Sequence, residues 1–262
     1  MASLNEIVQF LDRELETEEV PDYPNALNGL QLENRSGEVG RVWAAVDASL
    51  AVIESVTAAM DASTDDPSGG ILIVHHGLHW QGLQKTTGPT FAKFERAISA
   101  DLAIYSSHIP LDIHPVWGNN AVLSSALGLE FTQTFFDWKG IELGVRGNFQ
   151  GDLDALAAKL SDSVGGPVVK SPGCDGASKP GTVGVITGGA GTEVEAIRRA
   201  GIDTFITGEG PHWSFPLADE IGLNVLHAGH YATETFGVKT IAAEVASRWS
   251  LPHAFADSPT GL

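Results

Sequence analysis

The stretch Ile71-Leu72-Ile73-Val74-His75-His76-Gly77-Leu78-His79-Trp80 joins four aliphatic residues to an abruptly polar end. Four branched residues are too few for a helix and suit a strand buried on both faces, as in a parallel sheet. Two imidazoles directly beside such a strand need partners, so the His-His pair is hard to treat as filler. In open α/β sheets, ligands collect outside the carboxyl ends of the strands. The pair therefore marks an edge to which other strands should also deliver polar groups.

Upstream, Ile7, Val8, Leu11 and Leu15 give residues 5–15 a helical spacing, and Pro21, Pro24, Asn25, Asn28 and Gly29 make a loop. Residues 39–47 read as a buried strand. Ser49 is placed to cap a helix over 50–60, and 61–70 is a polar turn. Downstream come a helix over 90–99 and a strand over 102–105. That strand runs into Ser106-Ser107-His108-Ile109-Pro110-Leu111-Asp112, and Gly118-Asn119-Asn120 opens a helix reaching 127.

Residues 137–180 break the rhythm with a glycine-punctuated strand, a helix over 153–163, a strand over 168–170 and a Pro/Gly/Ser loop. The first pattern then returns. A strand over 182–186 passes through Gly188-Gly189-Ala190-Gly191-Thr192 into a helix over 193–200. A strand over 204–206 ends on Thr207-Gly208-Glu209-Gly210-Pro211-His212-Trp213. After a helix over 215–221, a strand over 224–226 ends on His227-Ala228-Gly229-His230-Tyr231-Ala232-Thr233-Glu234, and a helix over 236–249 follows.

Both halves thus read strand–helix three times, the second strand leading to a His-Trp pair and the third to a turn rich in metal-binding side chains. Duplication explains this better than coincidence. The expected fold is α/β: two pseudo-repeated lobes with parallel-rich sheets, and a metal site at strand carboxyl ends between the lobes. The segmentation is 1–136 for the first lobe, 137–180 for an inserted or bridging segment, and 181–262 for the second lobe.

His75, His76 and His230 supply imidazoles, and Asp112 and Glu234 supply carboxylates. His230 and Glu234 stand four apart at a helix start, so they share a face. Five N/O donors exceed the three protein ligands of a single open zinc site and allow two ions. Without a sulfur ligand, Zn, Mn, Fe, Co and Ni stay open. His108 and Glu209 are the proton-carrier candidates, each equally suited to orienting a ligand. His114 and His253 fit capping or surface roles. The glycines at 188–191 lack the spacing of a phosphate loop and suit a tight turn better than an anion site. No GxSxG elbow occurs, and Cys174 is assigned no role.

The 262 residues carry 15 Lys+Arg against 33 Asp+Glu, a net charge of −18 that disfavours duplex nucleic acid as a partner. The scattered acids fit either a salt-adapted surface or an ordinary acidic protein. At 43% apolar and 18% charged, the chain is neither disordered nor coiled-coil. One cysteine excludes a disulfide framework. No apolar run approaches the ~18–20 residues of a membrane span, and residues 1–13 lack a signal pattern, so the expected location is cytoplasmic.

Asn28-Gly29-Leu30-Gln31, His75-His76-Gly77, His108-Ile109-Pro110-Leu111-Asp112, Gly118-Asn119-Asn120, Ile206-Thr207-Gly208-Glu209 and Gly229-His230-Tyr231-Ala232-Thr233-Glu234 stand in one order. In these motifs the chain resembles the Nif-three-like dinuclear metal centre proteins, the GTP cyclohydrolase I type 2 homologues. The resemblance covers nearly the whole chain; Tyr231 stands where a second His is common. It implies a toroidal homohexamer with two divalent metal ions per subunit, held by His75, His76, Asp112, His230 and Glu234. It also implies a metal-dependent hydrolase of a nucleotide or small heterocycle. A metal-binding chaperone or ring-shaped regulatory scaffold is the other function these features suit.

Overall fold

The structure, a computed structural model, describes residues 1–62, 69–176 and 178–262; part of the turn expected over 61–70 lies outside the described residues. β1 (Ala2–Ser3) leads into α1 (Leu4–Glu14), β2 (Gly29–Leu32), β3 (Glu38–Val39) and β4 (Arg41–Asp47). Next come α2 (Leu50–Asp61), β5 (Gly70–His76), α3 (Pro89–Ser99), β6 (Leu102–Ser106) and α4 (Ile109–Ile113). α5 (Asn119–Leu127), β7 (Glu130–Trp138), β8 (Ile141–Asn148), α6 (Leu153–Val164), β9 (Val169–Lys170) and β10 (Thr182–Val185) follow. After a 3-10 turn (Ala190–Glu193) come α7 (Val194–Arg199), β11 (Thr204–Thr207), α8 (Ser214–Glu220) and β12 (Asn224–His227). α9 (His230–Thr233), α10 (Thr235–Trp249) and β13 (His253–Phe255) complete the order.

The chain packs as two compact units, Met1–Leu111 with Gly237–Ser258, and Asp112–Phe236 with Pro259–Leu262. The first holds a five-stranded sheet in the order β13-β4-β5-β6-β2, parallel except for β2. The second holds a six-stranded sheet in the order β7-β8-β10-β11-β12-β9, where β10, β11 and β12 are parallel and the flanking strands antiparallel. Each unit therefore centres on three parallel strands in chain order, the α/β pseudo-repeat expected from sequence.

Local chemistry explains the elements. Ser49 Oγ accepts from Val52 N at 3.2 Å and caps α2. On one face of the first sheet, Leu72, Val74, Leu102 and Ile104 pack against Val52, Ile53 and Val56 of α2. Phe10 of α1 meets Trp249 of α10 edge-on at 5.4 Å. In the second unit, Val183, Val185, Ile206 and Leu226 face α5 and α6, while neighbours Phe205 and Val225 face α7 and α8. Adjacent strand residues thus bury opposite faces, which is why these strands are apolar throughout.

Some elements differ from expectation. β5 runs through both histidines, since Asp47 of β4 stays in register with His76. Residues 130–138 form a strand unforeseen in sequence: β7 pairs with β8 across a bulge, and its exposed outer face gives no apolar run. Compact packing also cuts the chain at other points than 136/137 and 180/181. Strands β8 and β9 hydrogen-bond directly to β10 and β12, so they continue the second sheet. α10 and β13 return to the first unit, because β13 pairs parallel with β4.

Candidate metal centre

In the first unit, three imidazoles gather where β5 and β6 end. His75 and His76 close β5, and their ring centroids lie 4.8 Å apart. His108, two residues beyond β6, lies 4.8 Å from His75 and 5.6 Å from His76. One ring nitrogen of each lies within 4.8 Å of the others, and all three residues are buried. Every Nδ1 donates away from the cluster: His75 to Ser107 O at 3.0 Å, His76 to Asp47 Oδ1 at 2.9 Å, and His108 to Asp22 Oδ1 at 2.8 Å. Trp80 covers the group, its ring 4.5 Å from both His76 and His108.

Asp22 was not singled out by sequence. Burial alone would raise its pKa, but hydrogen bonds from His108 and Asn28, with the His108 charge and the Tyr23 N–H, hold its carboxyl below the usual carboxylate value. Asn28 Oδ1 accepts from His108 N at 2.8 Å, so ring and backbone of His108 are both clamped by the loop before β2. Lys93 on α3 feels the Asp47 charge: burial lowers its ammonium pKa, and Asp47 raises it back in part.

In the second unit the donors are mostly carboxylates. His230 starts α9, and its Nε2 meets Glu234 Oε1 at 3.0 Å, the shared face expected of that spacing. Its Nδ1 donates to Glu209 Oε1 at 2.8 Å. Burial would lower the His230 pKa, but hydrogen bonds and charge from Glu234, then Glu209, push it up to about 9. Glu234 is buried, and so is Asp112 on α4. Asp112 Oδ1 accepts from Asn119 Nδ2 at 2.8 Å and Thr187 Oγ1 at 3.4 Å, while Asn120 Oδ1 accepts from Thr187 N at 2.9 Å. Gly188, next in chain, sits at φ +70°, and a methyl there would fall 2.3 Å from Glu234 Oε1. Asp112 and Glu234 thus flank one pair of loop residues.

Other sequence candidates fall elsewhere. His114 Nδ1 accepts from Val116 N and Trp117 N, a capping role. His227 is buried against Phe215 in a stack at 4.3 Å, and burial lowers its pKa. The 188–191 glycines form a turn: Gly188 O receives Gly208 N and Glu209 N, and Gly191 N donates to Glu209 O. Arg198, on α7, donates to Asp203 Oδ1 at 2.7 Å. Asp203 precedes β11, so this ion pair lies at the opposite end of that strand from Glu209. Asp47, Asp22 and Thr187 went unassigned in the sequence, and of these Asp47, closing a strand beside β5, carried a topological signal; Asn119 stands in the Gly118-Asn119-Asn120 motif but was given no role there.

The donor set suits a divalent transition metal: imidazole nitrogen and carboxylate oxygen, with the rings fixed through Nδ1 by carboxylates or a carbonyl. These buried His and Glu groups could hold a metal ion. Among the described residues, no helix is long and apolar enough to cross a membrane.

Known proteins place the chain. A profile of Duf34/NIF3 (NGG1p interacting factor 3) matches residues 2–260. A Deinococcus radiodurans protein named GTP cyclohydrolase 1 type 2 homolog is 39% identical over 261 residues, covering 98% of this chain and 94% of its own. A like-named protein of Pyrococcus abyssi is 36% identical, covering 98% of each chain. Among solved structures, TTHA1606 from Thermus thermophilus superposes with a TM-score of 0.83 at 34% identity, over 100% of both chains. On a full-length profile match and relatives of this identity, the chain belongs to the Duf34/NIF3 family.

Proposed function

We propose that this protein is a dinuclear metal-dependent hydrolase acting on a nucleotide or related heterocycle, in line with the name its relatives carry. His75, His76, Asp112, His230 and Glu234 hold two divalent transition-metal ions per subunit. The observation that carries this is the shared orientation of the imidazoles: His75, His76 and His230 each give Nδ1 to an oxygen acceptor, the habit of ligating histidines. Such ions, when bound, polarise a substrate oxygen and make water a nucleophile near neutral pH. Of its two roles, Glu209 takes the orienting one, through its bond to His230. The subunits assemble as a closed homohexameric ring, which light scattering reports directly.

One observation favours a different class. Arg198 is committed to Asp203, and Arg199 lies 3.8 Å from Glu195. That is thin provision for a triphosphate and suits a metal-binding chaperone or regulatory ring. Metal analysis of protein purified without chelator should give about two ions per subunit. The loaded protein, incubated with a nucleotide panel, should yield a hydrolysed product by mass spectrometry. Two ions without turnover, but with metal passed to an apo acceptor, would establish the carrier instead.

A further inference from the structure

We infer that residues 79–88 form a lid over the imidazole cluster of the first unit, with Trp80 as its latch, and that opening of this lid limits entry of a hydrated ion or small substrate. Its metal test rests on the metal reading above; the motion itself does not. His75, His76 and His108 are buried, the last two with side chains only 9% exposed. The Trp80 ring lies 4.5 Å from both His76 and His108, tilted across them. Groups shut this far from solvent exchange partners only when something moves, and the segment with the fewest attachments moves first.

The base of the loop is pinned. Leu78 packs against the core of the first unit, and its N–H donates to Gln31 Oε1 at 2.6 Å. Beyond Leu78 the attachments thin out. Residues 81 and 83–89 are exposed, Leu83 completely. Among the described residues, the hydrogen bonds of 80–87 stay within the loop: Trp80 N to Gly77 O, Gly82 N to His79 O, Gln84 Nε2 to Gln81 O and Thr87 N to Lys85 O. What ties the segment to its surroundings is packing. Trp80 lies on the two imidazoles, His79 has its ring 6.3 Å from that of Phe94, and Gly82 sits where a methyl would be 3.5 Å from the Asn25 amide. Gly82 at φ +78° and Gly88 at φ +56° give left-handed turning points on either side of the exposed tip. Lifting 80–87 therefore breaks ring contacts but no hydrogen bond to the rest of the unit.

Stopped-flow mixing of chelator-stripped full-length protein with Co(II) tests the lid. The wild-type uptake rate should level off as Co(II) rises, at the rate of opening. Trp80→Ala should raise that plateau roughly tenfold and speed release to excess chelator by a like factor, leaving affinity little changed. Trp80→Phe, which keeps a ring, should stay near the wild type. A second readout needs no metal. Diethyl pyrocarbonate should modify His76 and His108 slowly in the stripped wild type and roughly tenfold faster in Trp80→Ala, as read by peptide mass. A wild-type uptake rate that climbs linearly with Co(II) overturns the lid, even if Trp80→Ala does not fold. So does a folded Trp80→Ala in which only release is faster, since that marks a lost wall contact instead of a gate. A wild type that binds no Co(II) removes the metal reading alone. The histidine modification then decides the lid, and equal rates in wild type and Trp80→Ala overturn it.

Discussion

The two units carry similar parallel sheets, yet the chemistry at their strand ends differs in kind. The first presents three imidazoles, neutral when ready to bind, with carboxylates held one bond back. The second presents one imidazole bonded to Glu234 and Glu209, with buried Asp112 beside the same loop. The common scaffold explains the placement; donor charge is what separates the two. Imidazole suits Zn, Co and Ni, whereas carboxylate suits harder ions such as Mn. The largest expected effect follows. His76→Ala should cost Co(II) or Zn affinity more than Mn affinity, and Glu234→Gln should show the opposite order. Each loss should exceed the roughly 100-fold ceiling typical of changes to supporting residues. Competition titrations against a chromophoric chelator check it, and equal losses for both metals in both variants would erase the distinction.

A pair of glycines sharpens the contrast. At Gly188 an added methyl falls 2.3 Å from Glu234 Oε1 and 3.4 Å from His230 Nε2, on a backbone already at φ +70°. Gly188→Ala should therefore displace the Glu234 carboxylate and, if that group is a ligand as proposed, lower metal affinity at least tenfold, beyond any loss of stability. At Gly77 the methyl meets the Gln31 side chain at 2.3 Å. Gln31 is itself anchored, accepting from Leu78 N and donating to Ala26 O and Leu27 O. Gly77→Ala should cost about 1–3 kcal/mol of stability through those bonds and little affinity. Thermal melts beside metal titrations separate the outcomes; equal affinity losses would mean that both glycines serve the sites.

The candidate donors could be read from sequence because topology did the work. Apolar runs such as Ile71–Val74 stop abruptly on polar residues, and strand ends in a parallel sheet share an edge. The carboxylates behind the rings were not legible. Asp22 lies 86 residues from His108 in a Pro/Asn-rich loop, and no periodicity links them. β7 escaped because its bulge between Glu130 and Gln133 and its exposed face scramble strand alternation. The apolar stripe of α10 (Val238, Ile241, Ala242, Val245) announces burial, but not that α10 belongs with the first sheet.

The smallest effect tests the carboxylate side without metal. His230 donates from both nitrogens, to Glu209 Oε1 and Glu234 Oε1, and these contacts raise its pKa from 6.5 to about 9. The folded state therefore holds this proton more tightly than the unfolded chain. The resulting stability is fully present below pH 6.5 and fades as pH rises through 9. His230 and Glu209 are partly open to solvent, which screens the interaction to about 1 kcal/mol. In a chain of this size that is about 2–4 °C of melting temperature. The chelator-stripped wild type should lose this amount between pH 6.5 and 9.5, and His230→Gln, which cannot take the proton, should not. Binding a divalent ion replaces the proton on Nε2, so loaded protein should release protons on binding and lose the slope. A wild type whose alkaline slope matches that of His230→Gln would remove the electrostatic half of the comparison and leave only the difference in donor type.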